Sequence, residues 1–554
     1  MLRVYKSACV WMKNQTPTYG NDVEAQMPQG PEMPQQTRLP MRWRRPIGRR
    51  KQGGSFLRQL QDVNIARDLT IRQARTLPNW LVGKPIVFFF IALFACWGAF
   101  GYIPAFDLWF VAAISVVLFF YGGYAMLNNW ANVSEKRFLR NIFITGLIVR
   151  LLWMLYCYFF FNPSHYGTTY GDGADVEWYM PFGEAIAEWV RNGFNGGFDQ
   201  LKMSWDAALD DIGYPIWLGV VYLITGSISD VFVPFIVKSV VGSYCAICIY
   251  RVAQRHFGDG TARLAALFVC LNPNIIYWCG TMMKEAEMVF LVCIAVDNLD
   301  RILSSGNKLT FKSLLPGMLA AIALMFFRTA LGLVMFFAMF AHIVMASKRV
   351  MSIGKKVLAG VLVVALLVIS MGDRIINQSK YFYEKVRSGE QKENMEWRGH
   401  RVDEGGRKQS FAKYAGAAVF APLIFTIPFP TFNEANVAQL VQVQTSGGSY
   451  IRNIFSFFVI MVLLSMLLSG EWRQHVFILA YTCGYLLTLV FSPFAQSGRF
   501  HMPIWPMLML FAAYGIQVAK VNMRLKRLFT VALCLEVVVC LAWNWFKLAG
   551  RGMI

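Results

Sequence analysis

The run PIVFFFIALFACWGAFGYI, residues 85–103, contains no charged side chain and decides the class of fold. About 18 or more apolar residues are long enough to cross the roughly 30 Å hydrocarbon core of a bilayer as a helix. Such runs recur along the chain, which is 56% hydrophobic, whereas soluble domains are about 45–50% apolar. A segment in lipid must satisfy its own backbone hydrogen bonds, and these runs do not alternate as barrel strands would. The sequence therefore predicts an all-α polytopic membrane protein.

The apolar runs predict a helical bundle of about 13 spans. The spans after 85–103 are expected at 107–127, 141–161, 231–250, 261–279, 286–303, 314–328, 329–347, 355–372, 450–469, 474–493, 502–519 and 528–547. The stretch 213–226 is also apolar, but it is short for a crossing. It is therefore interpreted as an interfacial or re-entrant helix.

A strongly basic tail precedes the first span. Residues 1–84 carry 15 Lys and Arg against 5 Asp and Glu, about half of the net charge of +21. We expect the tail to be largely disordered, with an amphipathic helix near 54–74 lying on the membrane surface. Its expected partner is anionic lipid or a protein, and no nucleic acid is expected.

The remainder of the chain divides into regions of different polarity. They are two additional N-terminal spans in 85–140, a central membrane region in 141–372 that includes the polar loop 162–212, a second outer loop region in 373–448, and C-terminal spans in 449–554.

The basic residues orient these regions, because cytoplasmic loops carry an excess of Lys and Arg. The tail is then inside, as are Lys136, Arg137 and Arg140 between the second and third spans. Loop 162–212, whose charges are mostly acidic, is outside. We expect a cytoplasmic N-terminus and a periplasmic or luminal active site. A bacterial inner membrane is favoured, with the endoplasmic reticulum as the alternative.

Charged residues interrupt the apolar pattern mainly at the outer ends of the predicted spans. They are Asp172 and Asp175 in the first outer loop, Lys284, Glu285 and Glu287 at one turn, Arg328 at a second, and Arg499 with His501 at a third. Charges at membrane depth are costly and usually mark a pathway or a site. Their convergence on one face indicates an anionic substrate. The alternative is that each side chain reaches the interface independently.

The segment YGDGADVEWY, residues 170–179, places a carboxylate at the start of a predicted amphipathic helix. Tyr179, Phe182, Ile186 and Val190 share one face of that helix. A carboxylate at a helix N-terminus is favoured as the anion. The ionised form is the one that a general base requires.

The pattern Asp175-x-x-x-Tyr179, followed by that helix, resembles the first luminal loop of the GT-C glycosyltransferase superfamily. The resemblance is strongest to the branch that contains protein O-mannosyltransferases and the lipid A aminoarabinose transferase. Further elements resemble that branch in the same order: YPIWL at 214–218, the segment 250–267, GTMMKE at 280–285, FRT at 327–329 and RFHMPIWP at 499–506.

The resemblance implies a GT-C-like bundle with interfacial helices in its first outer loop. It also implies an inverting transfer of a sugar from a polyprenyl-phosphate or polyprenyl-diphosphate carrier to a glycan, lipid or protein. Asp175 would accept the proton of the acceptor, with Asp172 as the competitor for that role. Arg328 and Arg499 would hold the lipid phosphate, since a guanidinium can bind phosphate bidentately.

Glu285, Lys284, Tyr179 and His501 are further candidates for substrate binding. Glu285 has the alternative role of a structural partner for Lys284 or an arginine. No cofactor is certain from the sequence; if the enzyme uses a divalent metal such as Mg²⁺ or Mn²⁺, Asp172 and Asp175 are the candidate ligands. Membrane lipids are the remaining expected partners.

Three other functions remain open at this stage. An outer-face polysaccharide polymerase or ligase would use arginines in a large late loop, and 373–448 is such a region. A transporter or flippase for lipid-linked solutes would place charges near the bilayer midplane and show internal repeats, and neither feature is clear. A non-enzymatic scaffold would work through the basic tail.

Overall fold

The computed structural model describes residues 69–165, 174–195, 211–226, 231–305, 311–345, 421–433, 441–492 and 497–549, together with Lys380 and Ala495. These ranges are helical and contain no strand, which confirms the predicted all-α class. They all lie in one of the two compact units of the chain, Ser55–Ile554. Most of the basic tail, Asp172, the predicted span 355–372 and most of 373–448 lie outside the described residues.

The first half of the described chain contains eleven helices, two of which are extended by a short π-helical turn. They are α1 Ile71–Arg75, α2 Asn79–Phe100, α3 Phe106–Val117 with the π turn Leu118–Gly122, α4 Gly123–Trp130, α5 Glu135–Tyr156 with the π turn Cys157–Phe161, α6 Asn162–His165, α7 Ala174–Arg191, α8 Gly213–Thr225, α9 Phe232–Phe257, α10 Asp259–Cys270 and α11 Pro273–Tyr277.

The second half of the described chain begins with a 3-10 turn, Trp278–Gly280. The helices that follow are α12 Glu285–Ser305, α13 Phe311–Phe327, α14 Thr329–Met345, α15 Val441–Gln444, α16 Ser446–Ser469, α17 Val476–Phe491, α18 Gly498–His501, α19 Trp505–Val521 and α20 Met523–Ala549. Two further 3-10 turns lie at Glu471–Gln474 and Met502–Ile504.

Within the described residues, six helical segments are long and apolar enough to cross a membrane, and a pair bent by 45° would make a seventh. They are Ile71–Phe100, Phe106–Trp130, Glu135–His165, Phe232–Phe257, Ser446–Ser469 and Gly498–Val521, with the bent pair Asp259–Cys270 and Pro273–Gly280. Several spans expected from the sequence correspond to shorter apolar helices, such as α14 and α17. The multi-pass membrane class is therefore confirmed, whereas the count of about 13 spans is not.

Residues that stop or bend helices explain several of the boundaries. Gly101 and Gly470 follow α2 and α16 with φ of +67° and +75°, a left-handed conformation that favours glycine. Asn272 starts α11, because its side chain accepts from the backbone N–H groups of Asn274 and Ile275, each at 3.1 Å. Pro273 follows as the first helical residue, and the chain therefore bends between α10 and α11.

Glycines allow α7 and α8 to pack closely. A Cβ at Gly219 would lie 2.8 Å from Cγ2 of Ile186 and 3.1 Å from the carbonyl oxygen of Gly183. A Cβ at Gly183 would lie 2.8 Å from Cβ of Leu218. This close approach packs α7, the helix predicted within the loop 162–212, directly against α8. It thereby fixes the position of Asp175 and Tyr179, which lie on α7.

Helix α9 is the central support of the bundle, since it packs against α5, α10 and α12. At the C-terminal ends of α9 and α12, Arg255 Nε donates to Asp300 at 2.7 Å and Nη1 lies 2.9 Å from Asp297. His256 Nε2 also contacts Asp300 at 2.7 Å. These contacts hold the two helices together at the end opposite to the charged cluster described below.

We expect Gly219→Ala to lower the stability of the full-length protein by about 1–3 kcal/mol, because the added methyl group forces α7 away from α8. Thermal unfolding in detergent measures the change. Gly83→Ala is the matched control, since a Cβ at Gly83 meets nothing within 4 Å. Equal stability of the two variants would contradict the role of Gly219 in seating α7.

Candidate active site

Five separate elements meet at one end of the bundle and place their charged side chains together. They are the first turn of α7, the residues before α8, the turn that leads into α12, the junction of α13 and α14, and the short helix α18. Because these elements are distant in sequence, their convergence depends on the helix packing and not on any local motif.

Arg499 joins three of these elements. Its Nη1 lies 2.5 Å from Oδ2 of Asp175 on α7, and its Nε forms an ion pair with Oε1 of Glu285 at the start of α12. The side chain of Glu285 is fully buried, that of Arg499 is 17% exposed, and that of Asp175 is 45% exposed. Among the described carboxylates of the cluster, Asp175 is therefore the most exposed.

Lys284 forms a second ion pair in the cluster, with Asp211 just before α8. The hydroxyl of Tyr179 donates to Oδ2 of Asp211 at 3.3 Å, and the Lys284 ammonium lies 5.7 Å from the centroid of the Tyr179 ring. Lys284 itself is buried. Burial also raises the pKa of Tyr179, so its phenol stays protonated and remains a hydrogen-bond donor.

The charge on Asp211 shows that the arginines belong to the same cluster. Burial opposes the ionised form, but the positive charges of Lys284, Arg328 and Arg499 outweigh it and hold the pKa of Asp211 below its ordinary value. In the described part of the chain, the cluster thus contains three carboxylates (Asp175, Asp211 and Glu285) and three cations.

Arg328 is the cation of this set without a carboxylate in contact among the described residues. It lies between α13 and α14, where Nη1 donates to the hydroxyl of Tyr485 at 3.4 Å. Its guanidinium sits 4.1 Å from the centroid of the Phe500 ring. Tyr485 in turn donates to the carbonyl of Phe500 at 2.7 Å. Neutral groups therefore orient Arg328, and no carboxylate in the described part of the chain compensates its charge by direct contact.

His501 is buried, and its Nε2 is 2.7 Å from the carbonyl oxygen of Ala495. The structure shows no hydrogen bond from His501 to the charged cluster within the described residues.

Asp172 lies outside those residues, so its predicted role stays a prediction. The described part of the chain holds no group of three or more His, Cys, Asp or Glu side chains positioned to bind a metal.

Asp211 is a member of the cluster that the sequence did not single out. It lies at the end of an acidic loop that contains nine carboxylates, and no motif distinguishes Asp211 from the other eight. Its position directly before the apolar helix α8 was the available signal, because a carboxylate at such a boundary needs a cation or water.

We expect Asp211→Asn to destabilise the protein by about 1–3 kcal/mol at pH 7, since it leaves the buried Lys284 without its counter-charge. A carboxylate whose pKa is lower in the folded chain stabilises the fold above its ordinary pKa near 4 and loses that contribution as the pH falls through the folded-state pKa. The difference in melting temperature from the parent protein should therefore shrink below about pH 4.

The matched control for Asp211→Asn is Glu177→Gln, which removes an exposed carboxylate from α7. Its melting temperature should follow that of the parent protein at every pH. A loss of stability in Asp211→Asn that is the same at pH 3 and pH 7 would contradict the ion pair with Lys284.

These contacts define the class of the protein: a helical, multi-pass membrane protein with a balanced cluster of acids and cations at one end of its bundle. Residues 213–371 match a family model described as dolichyl-phosphate-mannose-protein mannosyltransferase. The match covers less than a third of the chain, and the matched region contains Lys284, Glu285 and Arg328.

The match confirms the predicted resemblance to the membrane glycosyltransferases of the GT-C type. No curated protein and no solved structure matches the chain. Asp175 and Arg499 lie outside the matched region, and Arg499 links Asp175 to Glu285, which lies inside it.

Proposed function

We propose that the protein transfers a sugar from a polyprenyl-phosphate or polyprenyl-diphosphate carrier to an acceptor at the periplasmic or luminal face, with inversion at the anomeric carbon. The observation that carries the proposal is the contact of Arg499 with both Asp175 and Glu285. It places an accessible carboxylate beside cations suited to a phosphate. The description of the matching family names mannose linked to dolichyl phosphate as the donor and a protein as the acceptor. We infer a sugar donor of the same chemical class for this protein.

Asp175 is the proposed general base. It lies in the first turn of α7, where the positive end of the helix dipole favours a carboxylate. A hydroxyl group of the acceptor would give its proton to Asp175 while its oxygen attacks the anomeric carbon, and the bond between that carbon and the phosphate oxygen would break.

Arg328 and Arg499 are the proposed ligands of the leaving phosphate. Arg328 has no carboxylate partner among the described residues, and Nη2 of Arg499 makes no hydrogen bond within the same part of the chain. Donors that are already oriented towards the place where charge develops stabilise it without reorganisation. The lipid tail of the carrier would then remain in the surrounding bilayer. The outward orientation follows from the distribution of basic residues.

We expect Asp175→Asn to lower sugar transfer by at least about 100-fold, because the amide cannot accept the proton. Membranes that contain the full-length protein are supplied with polyprenyl-phosphate-linked radiolabelled mannose, and chromatography separates the donor from every labelled product. Binding of the donor to the purified variant should stay within about threefold of the parent, since Asp175 does not hold the phosphate.

Glu177→Gln is the control for this experiment, because Glu177 is exposed and lies two residues further along the same helix. Its transfer rate should match that of the parent protein. Full activity in Asp175→Asn would move the base to Asp172 or exclude an enzymatic role for this cluster.

Arg328→Ala should raise the KM for the lipid-linked donor by about 10-fold or more, the loss expected for a hydrogen bond to a charged group. Arg328→Lys should recover part of this loss, because it restores the charge without the planar donor pair. Kinetics at varied donor concentration measure both changes. Arg140→Ala removes an exposed arginine from α5 and should leave the KM unchanged. A KM in Arg328→Ala equal to that of the parent would contradict phosphate binding by Arg328.

A further inference from the structure

Lys238 is a fully buried lysine in the second turn of α9 that has no place in the chemistry proposed above. Its ammonium donates to the carbonyl of Thr281 at 2.8 Å and to the carbonyl of Met283. It lies 3.6 Å from Oε2 of Glu287 on α12 and 4.7 Å from the centroid of the Tyr214 ring. Lys238 therefore contacts both sides of the turn that leads into α12.

A buried ammonium is costly unless it is paired and hydrogen-bonded. Two carbonyls, one carboxylate and one aromatic face surround Lys238 and supply this compensation. The backbone carbonyls of the turn are satisfied as well, because buried carbonyl groups outside regular helices need hydrogen-bond donors. Lys238 and the carbonyl groups of the turn at 281–284 thus satisfy each other's hydrogen-bonding requirements.

The turn at 281–284 has no regular helical structure of its own. It follows the 3-10 turn Trp278–Gly280 and precedes α12, and Thr281 is extended, with φ of −129° and ψ of 153°. Side chains from α5 and α6 fix the residues just before it. Trp153 Nε1 donates to the carbonyl of Tyr277 and Asn162 Nδ2 donates to the carbonyl of Gly280, each at 3.0 Å. Lys238 is the corresponding donor for the part of the turn nearest to the site.

The residues that follow these carbonyls are Lys284 and Glu285, which hold Asp211 and Arg499. A shift of the turn would move both ion pairs at once, and with them the contact between Arg499 and Asp175. We propose that Lys238 is a positioning residue, which fixes the turn at 281–284 and thereby places Lys284, Glu285 and Arg499 for catalysis. Its effect on catalysis rests on the proposed function.

The variant that tests this proposal is Lys238→Met, which keeps the length of the side chain and removes its donors. We expect kcat to fall by at least about 10-fold and the KM for the donor to change by less than about threefold, since Arg328 stays in place. Glu287→Gln removes the ion pair but leaves both carbonyl contacts of Lys238. It should keep at least about half of the parent activity.

The double variant Lys238→Met with Glu287→Gln separates positioning from stability. Lys238→Met alone leaves the Glu287 carboxylate buried without its cation, so the melting temperature should fall. Adding Glu287→Gln removes that charge and should restore much of the stability. The transfer rate should stay low, because the carbonyls of the turn still lack their donor. Recovery of both stability and transfer in the double variant would overturn the proposal.

A second readout does not depend on sugar transfer. Cys279 is buried beside this turn, and its thiol donates to the carbonyl of Lys238 at 3.6 Å. A loosened turn in Lys238→Met should increase labelling of Cys279 by a membrane-permeant maleimide at least about fivefold. Mass spectrometry of the peptides measures it, with the buried Cys293 on α12 as the internal reference. Unchanged labelling of Cys279 would overturn the positioning role.

The two readouts distinguish the possible failures. Increased labelling of Cys279, in a protein that transfers no sugar from any polyprenyl-phosphate donor, would retain Lys238 as the residue that fixes the turn and reject the proposed function. Normal labelling together with full transfer in Lys238→Met would reject the positioning role and leave the proposed function intact.

Discussion

The ion pairs of Arg499 are the contacts on which the arrangement of the site depends. Glu285 is fully buried, and removal of its cation would leave an uncompensated charge in a low-dielectric interior. Arg499 supplies that cation and at the same time contacts Asp175 on α7. One guanidinium therefore joins α7, the start of α12 and α18, the short helix before α19. None of these segments adjoins another in sequence, so the site exists only when all three are in place.

This contact requires that α9 and α12 hold a fixed relation to each other along their length. At one end the pair is joined by Lys238 with Glu287 and with the carbonyls of the 281–284 turn. At the other end Arg255 joins α9 to Asp297 and Asp300 on α12. Sliding of α12 along α9 would separate the charged partners at both ends. Charged contacts at both ends restrict that sliding, and the residues at the start of α12 gain a defined position.

Much of the fold and part of the site could be predicted from the sequence, and the physical reasons differ. Long uncharged runs such as 85–103 predicted the helices well, because lipid leaves the backbone few alternatives. Glu285, Arg328 and Arg499 stood out because each interrupts an apolar run at the outer end of a predicted span. The number of spans was harder to predict, since short apolar helices such as α8 and α14 carry the same composition as crossing helices.

The residues that the sequence did not reveal depend on tertiary contacts. Asp211 belongs to an acidic loop and becomes distinctive only through Lys284. Lys238 lies inside a run that was interpreted as a simple span, and a single lysine in such a run was the signal that could have identified it. His501 was grouped with Arg499 because the two are neighbours in sequence, yet the structure places it in a buried contact with the carbonyl of Ala495. Arg499 and His501 are close in sequence, yet their side chains have different surroundings.

The distribution of charge in the cluster indicates an order for the steps of the proposed reaction. Asp175, Asp211 and Glu285 are each in contact with Arg499 or Lys284, whereas Arg328 contacts a tyrosine hydroxyl and an aromatic ring. An incoming phosphate would therefore first meet Arg328, which has no carboxylate partner among the residues that the structure describes. Arg499 is shared between two carboxylates, so a phosphate that draws on it weakens its hold on Asp175. A weaker hold leaves the oxygens of Asp175 freer to accept a hydrogen bond from the acceptor hydroxyl. In the proposed mechanism, binding of the donor would thus prepare Asp175 to remove the acceptor proton only when the leaving phosphate is already in place.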